Sequence, residues 1–429
     1  MRFGKESFRK KNNGRFLIGY QLFGEYAQIS LLKIGENQPF TFSMVAGKEE
    51  YQLPLCLYRL SEEKLWIMGR DAVEKRKLSE EGYIGNLLEA AYEGGDIRLG
   101  EETYNPRALL ALYVKKSLSL LSLETSLRQV AAIMFVIDRP DTVKIRALRE
   151  MTEYLQLTDV EIMFMGKEES FFWYNLHTDQ SLWKGQVMLY EWEKEGLISY
   201  RLFINKNTTP LVTVVEKEEY PQGKALFHRS DEEKDDFFLD CCRRDFSERN
   251  VTAVYLIGDG FNGDWYRESL KFLCQNRRAF RGNNLYSKGA CQGLLQKLDP
   301  DKLGETYVYL GEDKLSANVG MDLIRQGEKS YLAILNGGNS WYECKKQWEV
   351  ILEETNQLVF RIMPLNGKLI REYTMTLWGL KEQAGALTRI RLKAEMLSEN
   401  SLSVKAEDRG FGQFYPSSGR SWEETIELM

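Results

Sequence analysis

Cysteine is scarce in this 429-residue chain. Six residues at irregular spacing exclude a disulfide framework and lead to the expectation of six reduced thiols. Histidine is scarcer: His177 and His228 stand apart from each other and from any Cys-x-x-Cys pair, so no zinc spacing occurs. Nine prolines are too few for a Pro-rich linker protein. Long apolar runs are missing as well. The longest, Val130–Ile137, falls far short of the ~18 residues that span a bilayer. There is no excess of positive charge. Lys+Arg number 58 against 63 Asp+Glu, a net −5, which withholds the basic footprint of a nucleic-acid binder. Met1–Lys5 is basic, but no apolar signal-peptide segment follows. Neither a G-x-S-x-G elbow nor a P-loop occurs, and no internal repeat or low-complexity tract is visible. The expectation is a cytoplasmic protein with no nucleic-acid or membrane partner.

What is present is ordinary globular material, 43% hydrophobic and 28% charged, enough for two to four domains. Residues 1–15 are polar and basic, and predict a flexible tail. Phe16–Gly19 and Ile29–Leu32 bracket Gly24 as a hairpin. Asn105–Leu123 repeats apolar residues at helical spacing. Val130–Ile137 has no period and predicts a strand buried on both faces. Pro140 then opens a helix carrying Val143, Ala147, Leu148, Met151 and Leu155, and the strand Val160–Phe164 follows. Val187–Trp192 and Leu197–Ile204 predict two strands around a Glu193–Gly196 turn. Ser230 and Glu233 fit a capping box, with Asp231 and Glu232 in the first helical turn and Arg243 and Arg244 in the last. Past about Gly304 the texture changes. Arg389–Met396 alternates polar and apolar residues, and Leu402, Val404 and Ala406 do so after a Ser-Glu-Asn turn, which predicts an antiparallel β hairpin.

Few constellations carry chemistry. Gly258-Asp259-Gly260-Phe261-Asn262-Gly263 is a G-x-G-x-x-G after a strand and before a helix. The polar stretch Asn276–Lys288 predicts no following strand, and no acid about 20 residues on is available for a ribose. A tight strand-to-helix turn explains these glycines better than an NAD site. Adjacent Cys241 and Cys242 predict buried thiols. Asp235-Asp236 predicts a solvated helix face, and Trp341, Trp348 and Trp378 predict core packing.

Taken in order, the segments resemble the DnaK-type heat-shock chaperones and the wider actin-like ATPases. Phe16–Leu32 resembles the first phosphate hairpin of that family and Val187–Leu202 the second. Leu53-Pro54 with Gly69-Arg70-Asp71-Ala72 resembles its P-S-V-V-x-F … V-G-x-x-A passage, and Phe135–Leu157 its V-P-A-x-F … A-G-L. Val254–Gly260 with Tyr286-Ser287-Lys288-Gly289-Ala290 resembles its adenosine-contacting V-L-V-G-G-S … A-x-G-A. Leu315–Gly320 and Leu402–Asp408 resemble L-S-L-G-I and L-x-V-S-A-x-D. The resemblance implies an α/β actin-like (ribonuclease-H-like) two-lobe nucleotide-binding domain over residues 16–303. It further implies an antiparallel β-sandwich over 304–429, similar to a chaperone substrate-binding domain and without the helical lid.

The chemical positions depart from the pattern. D-L-G-T-T is replaced by Tyr20-Gln21-Leu22-Phe23-Gly24, and D-L-G-G-G-T by Glu191–Gly196. E-P-T-A-A is replaced by Gly166-Lys167-Glu168-Glu169-Ser170. The expectation is a pseudo-ATPase that binds a peptide, protein partner or small ligand. It would keep a vestigial nucleotide cleft at Gly258, Gly260, Glu191 and Lys194, with no catalytic residue, metal or cofactor. The alternative is an active ATP-dependent chaperone-like ATPase with Glu191 as metal partner. A nucleotide-dependent oxidoreductase rests on the glycine motif alone.

Overall fold

The protein is described from a computed structural model covering residues 8–45, 47–60, 64–247, 249–365, 369–380, 387–413 and 415–428. Residues 1–7 of the expected tail lie outside this set. The rest of that segment is ordered, contrary to expectation. Phe8–Lys11 forms one helical turn. The Arg9 backbone N–H donates to Asp299 at 2.9 Å, its guanidinium to Asp301 at 3.1 Å, and Arg15 donates to the Val130 carbonyl at 2.6 Å. Basic residues here are matched by acids and a strand-end carbonyl rather than left in water. The chain divides into two compact units after Gly311. That is later than the expected boundary at Gly304, because Tyr307–Tyr309 still pairs into the first unit.

The first unit carries two large sheets. In the first, β1 (Phe16–Phe23), β2 (Tyr26–Lys33) and β3 (Phe40–Thr41) run antiparallel in succession. β4 (Val130–Ile137) lies parallel to β1, and β5 (Glu161–Gly166) parallel to β4. The second sheet repeats this plan. β6 (Gln186–Glu193), β7 (Gly196–Asn205) and β8 (Leu211–Tyr220) are antiparallel. β9 (Val251–Ile257) is parallel to β6, and β10 (Arg278–Arg281) parallel to β9. β11 (Tyr307–Tyr309) adds beside β8. Both sheets thus follow the order fifth, fourth, first, second, third. Even the irregularity after the first residue of the leading strand recurs, at Phe16/Leu17 and Gln186/Val187. The repeat is one of backbone plan, which is why the amino-acid sequence does not display it.

Helices cover these sheets. On the first, α1 (Pro106–Ser119) starts from Asn105, whose side chain accepts from the Arg107 and Ala108 N–H groups. α2 (Thr142–Leu155) starts from Asp141 in the same way. The Tyr20 hydroxyl, on β1, meets Ser117 of α1 at 2.8 Å. On the second sheet, α4 (Asp231–Asp245) carries the expected Ser230/Glu233 capping box, and Tyr190, the register equivalent of Tyr20, donates to Asp245 at 2.7 Å. Between the sheets lie α3 (Lys167–Leu176) and α6 (Leu285–Leu298), whose Phe171, Phe172, Ala290 and Leu294 share one core with Leu17 and Met134 of the first sheet and Leu189 and Tyr255 of the second. Packing there is backbone on backbone. An added Cβ at Gly289 would strike the Ser170 carbonyl of α3, and one at Gly19 of β1 would meet Ala290 Cβ at 2.9 Å.

The second unit holds two four-stranded antiparallel sheets. Ala317–Arg325 pairs with both Glu328–Leu335 and Gln357–Pro364, and the latter with Arg371–Thr376. Lys345–Glu353, Leu387–Met396, Ser401–Asp408 and Ser421–Glu427 pair in that order. In the expected hairpin, Leu392 stands opposite Ala406 and Ala394 opposite Val404, all buried, while Arg389 and Arg391 face Glu349 on the wet side. Trp341 is buried, but Trp378 is 73% exposed and is not a core residue.

Asp235 also departs from expectation. It is buried rather than solvated, and caps α5 (Glu268–Leu273) from α4. It accepts from the N–H groups of Arg267, Glu268 and Ser269 at 2.9, 2.7 and 3.0 Å, and from the Ser269 hydroxyl at 2.5 Å. Burial works against its charge, but these donors prevail and hold it below the usual carboxylate range. A depressed folded pKa gives stability that is present at neutral pH and lost in acid. Asp235→Ala is therefore expected to cost about 1.5–3 kcal/mol in urea unfolding at pH 7. The gap from the unmodified chain should narrow below about pH 4, as the unfolded-state carboxylate protonates, and stop narrowing once pH has fallen past the lowered native pKa.

Candidate functional site

Two hairpin turns point into one cleft of about 540 Å³ in the first unit. The β1–β2 turn is Gly24-Glu25, with Gly24 at φ 69°, a conformation two-residue hairpin loops favour at glycine. The β6–β7 turn is Lys194-Glu195. Their tips are joined by an ion pair between Lys194 and Glu25. Glu191, Glu193, Gly258, Asp259 and Tyr286 line the same space.

Beside it lies a buried charge cluster. The Lys167 ammonium, at the start of α3, sits 3.0 Å from Glu191 Oε2 and 2.7 Å from Asp138 Oδ1. The Lys167 and Glu191 side chains are only 8% and 10% exposed, so this pair is desolvated, whereas Asp138 is about half exposed. Tyr200 donates to the same Glu191 oxygen at 2.9 Å, and Tyr286 at 3.4 Å. The rings of Phe23 and Tyr200 flank the ammonium at 5.6 and 5.4 Å. Burial opposes the Lys167 charge, but Glu191 and Asp138 outweigh it and hold its pKa well above the usual value. Asp138 is held low in turn: burial opposes its charge, and Lys167 overcomes it.

Two further carboxyls, without an ion-pair partner among the described residues, move the other way. Burial pushes Glu168 up to about 7. Burial, with the Asp259, Glu191 and Glu195 charges, pushes Glu193 to about 7, against the Asp259 N–H that it accepts at 3.3 Å.

The four residues singled out from sequence fare differently. Glu191, Lys194 and Gly258 line the cleft; Gly260 does not. An added Cβ there would lie 2.5 Å from Trp192 Cγ, so this glycine makes room for a ring in the aromatic cluster of Trp192, Phe238, Phe261 and Trp265. Lys194 is committed to Glu25. Four N–H groups of the glycine turn are already engaged. Gly258 N–H goes to Asn283 at 2.9 Å, Asp259 N–H to Glu193, and the Phe261 and Asn262 N–H groups to carbonyls of the turn itself. Contrary to expectation, a parallel strand, β10, does follow this turn. It was hidden because its Arg278 and Arg281 point to solvent. Lys167 and Asp138 of the cluster, and Gln21 and Gln28 of the cleft lining, were given no role from the sequence. The replacement of E-P-T-A-A by Gly166-Lys167 was the one available signal. Among the described residues no group of three or more His, Cys, Asp or Glu is set to hold a metal ion.

The fold and site define a repeated two-sheet α/β protein with a buried lysine–carboxylate cluster beside its cleft. The chain belongs to the family of unknown function DUF5716, whose C-terminal region matches residues 38–312. Residues 314–428 match a domain of unknown function, DUF8552, so the division after Gly311 coincides with the change of family. No curated protein matches the chain.

Two outcomes test the site. Lys167→Met strands Asp138 and Glu191 and is expected to cost about 3–5 kcal/mol. Adding Glu191→Gln should restore much of that loss, which a double-mutant cycle will read as coupling. For Glu193, the folded pKa of about 7 lies above the unfolded value, so stability falls as pH rises from about 4.5 to 7. Glu193→Gln, which keeps an acceptor for the Asp259 N–H, should melt like the unmodified chain near pH 4.5. At pH 8 it should be more stable by up to roughly 3 kcal/mol.

Proposed function

We propose that this chain is a non-catalytic, DnaK-like and actin-like binding protein with a degenerate ATP cleft. The twofold recurrence of one strand order supports the actin-like two-lobe part of this reading. The paired four-stranded antiparallel sheets of the second unit support a β-sandwich that engages a peptide or protein partner. The observation that carries the loss of ATP chemistry is Lys167. Its ammonium occupies the space between Asp138 and Glu191, where the active reading needs a carboxylate free to hold hydrated Mg²⁺. The register equivalent of Glu191 in the first sheet is Gln21, an uncharged amide. Lys194, the residue best placed to attract phosphate, is neutralised by Glu25. An oxidoreductase reading is disfavoured because the two N–H groups that open the glycine turn, of Gly258 and Asp259, are already taken by Asn283 and Glu193. No helix among the described residues is long and apolar enough to cross a membrane, and a cytoplasmic location fits six cysteines that form no disulfide.

The test is thermal shift and phosphate release with about 1 mM Mg·ATP, an excess that would stabilise any protein binding it at physiological strength. Neither a shift nor hydrolysis is expected. A shift that disappears in Lys194→Ala would replace this reading with the ATP-dependent one.

A further inference from the structure

The second sheet of the first unit ends in a basic edge. β10 pairs with β9 on one side, and among the described residues no backbone hydrogen bond reaches its other side. Side chains alternate across this strand. Arg278 and Phe280 share one face, where the Phe280 ring stacks on Tyr255 at 5.2 Å and stays 38% exposed. Ala279 and Arg281 share the other, where Ala279 packs on the aromatic core and Arg281 donates to the Gly263 carbonyl at 2.9 Å. Both arginines are exposed, and neither has an ion-pair partner among the described residues. The acid that feels Arg278, Asp179, already accepts from the Ser181 N–H at 2.8 Å. Neighbouring Arg277 is not free, since it lies over Phe246 and donates to the Phe272 carbonyl.

The fold itself does not require this charge. β5 holds the same place in the first sheet, and there a single glutamate, Glu161, is followed by the apolar run Ile162–Met165. Around β10, the thirty residues Ser269–Leu298 carry six Lys/Arg and no Asp or Glu, in a chain of net charge −5. Charge of either sign would serve to keep an edge from aggregating. Here one sign is concentrated, and on the edge strand it is carried by arginine, whose planar fork matches a carboxylate at two points. A strand added beside β10 would send alternate side chains to the two faces. Its acids would meet Arg278 on one face and Arg281 on the other, and an apolar neighbour would rest on Phe280. The main chain supplies the remaining bonds. Nucleic acid suits the edge less well, because two free arginines neutralise few phosphates and a row of N–H and C=O groups matches a peptide backbone.

We propose that the free edge of β10 docks an acidic, extended segment of a partner protein as an additional strand of the second sheet, held through its main chain and by Arg278 and Arg281. The site belongs to the first unit and is additional to the second-unit sheets proposed above to engage a partner.

The experiment titrates the full chain at low salt into a fluorescein-labelled peptide, Glu-Val-Asp-Val-Glu-Val-Asp, followed by anisotropy. Three controls run beside it. One peptide has each acid replaced by its amide. A second keeps the acids and replaces each valine by proline, which preserves charge but removes alternate N–H donors. The third is a short oligouridylate. The acidic peptide should bind with a Kd below about 0.1 mM, and the amide and proline peptides at least about tenfold more weakly. Binding should weaken as salt rises. Bound peptide should slow hydrogen exchange of the amides in Arg278–Arg281. Arg278→Gln/Arg281→Gln should weaken binding by about tenfold or more and melt like the unmodified chain. If that variant does not fold, Arg278→Gln alone serves, since this guanidinium makes no hydrogen bond among the described residues. Absence of binding by the acidic peptide at up to about 1 mM overturns the proposal. So does equal binding of the proline peptide, which is adsorption by charge alone, and so does binding that the arginine substitutions leave unchanged. Tighter binding of the oligouridylate, lost in the same variant, would make the edge a nucleic-acid contact and overturn it as well.

Discussion

A single buried ammonium organises the centre of the first unit. Lys167 begins the helix that leaves the first sheet, its partner Asp138 directly follows β4 of that sheet, and its other partner Glu191 belongs to the second sheet. A desolvated cation tolerates few arrangements of its neighbours, because each displaced oxygen restores part of the cost of removing the charge from water. Glu191 is therefore fixed on one side by the ammonium and on the other by the Tyr200 and Tyr286 hydroxyls. The two halves of the unit meet through this polar knot as well as through the apolar faces of α3 and α6.

The knot also explains the chemistry of the surrounding cleft. With Lys167 and Lys194 both engaged, the remaining carboxylates keep each other company, and the nearest of them, Glu193, holds its proton to near neutrality. The glycine-rich turn lines the cleft with Gly258, Asp259 and Asn262, whose N–H groups are all engaged. Its two cleft-side N–H groups point at Asn283 and Glu193, and its middle glycine is filled by the Trp192 ring. The same residue pattern that cradles pyrophosphate in other proteins here packs an aromatic core.

Elements whose signal is local were legible in the sequence. Val130–Ile137 is buried along its whole length, the Ser230/Glu233 box forms, and the Arg389–Asp408 hairpin alternates as its composition dictates. Elements defined by distant partners were not. β10 is an edge strand with two exposed arginines, so it lacks the apolar pattern of an interior strand. Lys167 finds Glu191 24 positions on, and Lys194 finds Glu25 across 169 positions. Asp235 looks like half of a solvated acidic pair until the start of α5 is seen to end on it. Gln21 and Gln28 carry no motif at all, and only burial without a partner distinguishes them.

The missing side chains at Gly19 and Gly289 have a mechanical consequence. Most interfaces between protein layers are cushioned by side chains that can change rotamer as the layers shift. Where Gly289 meets Ser170, and Gly19 meets the first turns of α6, main chain rests on main chain and no such compliance exists. A change in the angle between the two sheets would have to turn about these contacts, as about a fulcrum, and would be felt most at the far ends of the lever arms. Those ends include the two hairpin tips, where Lys194 and Glu25 form a clasp that water and salt can reach.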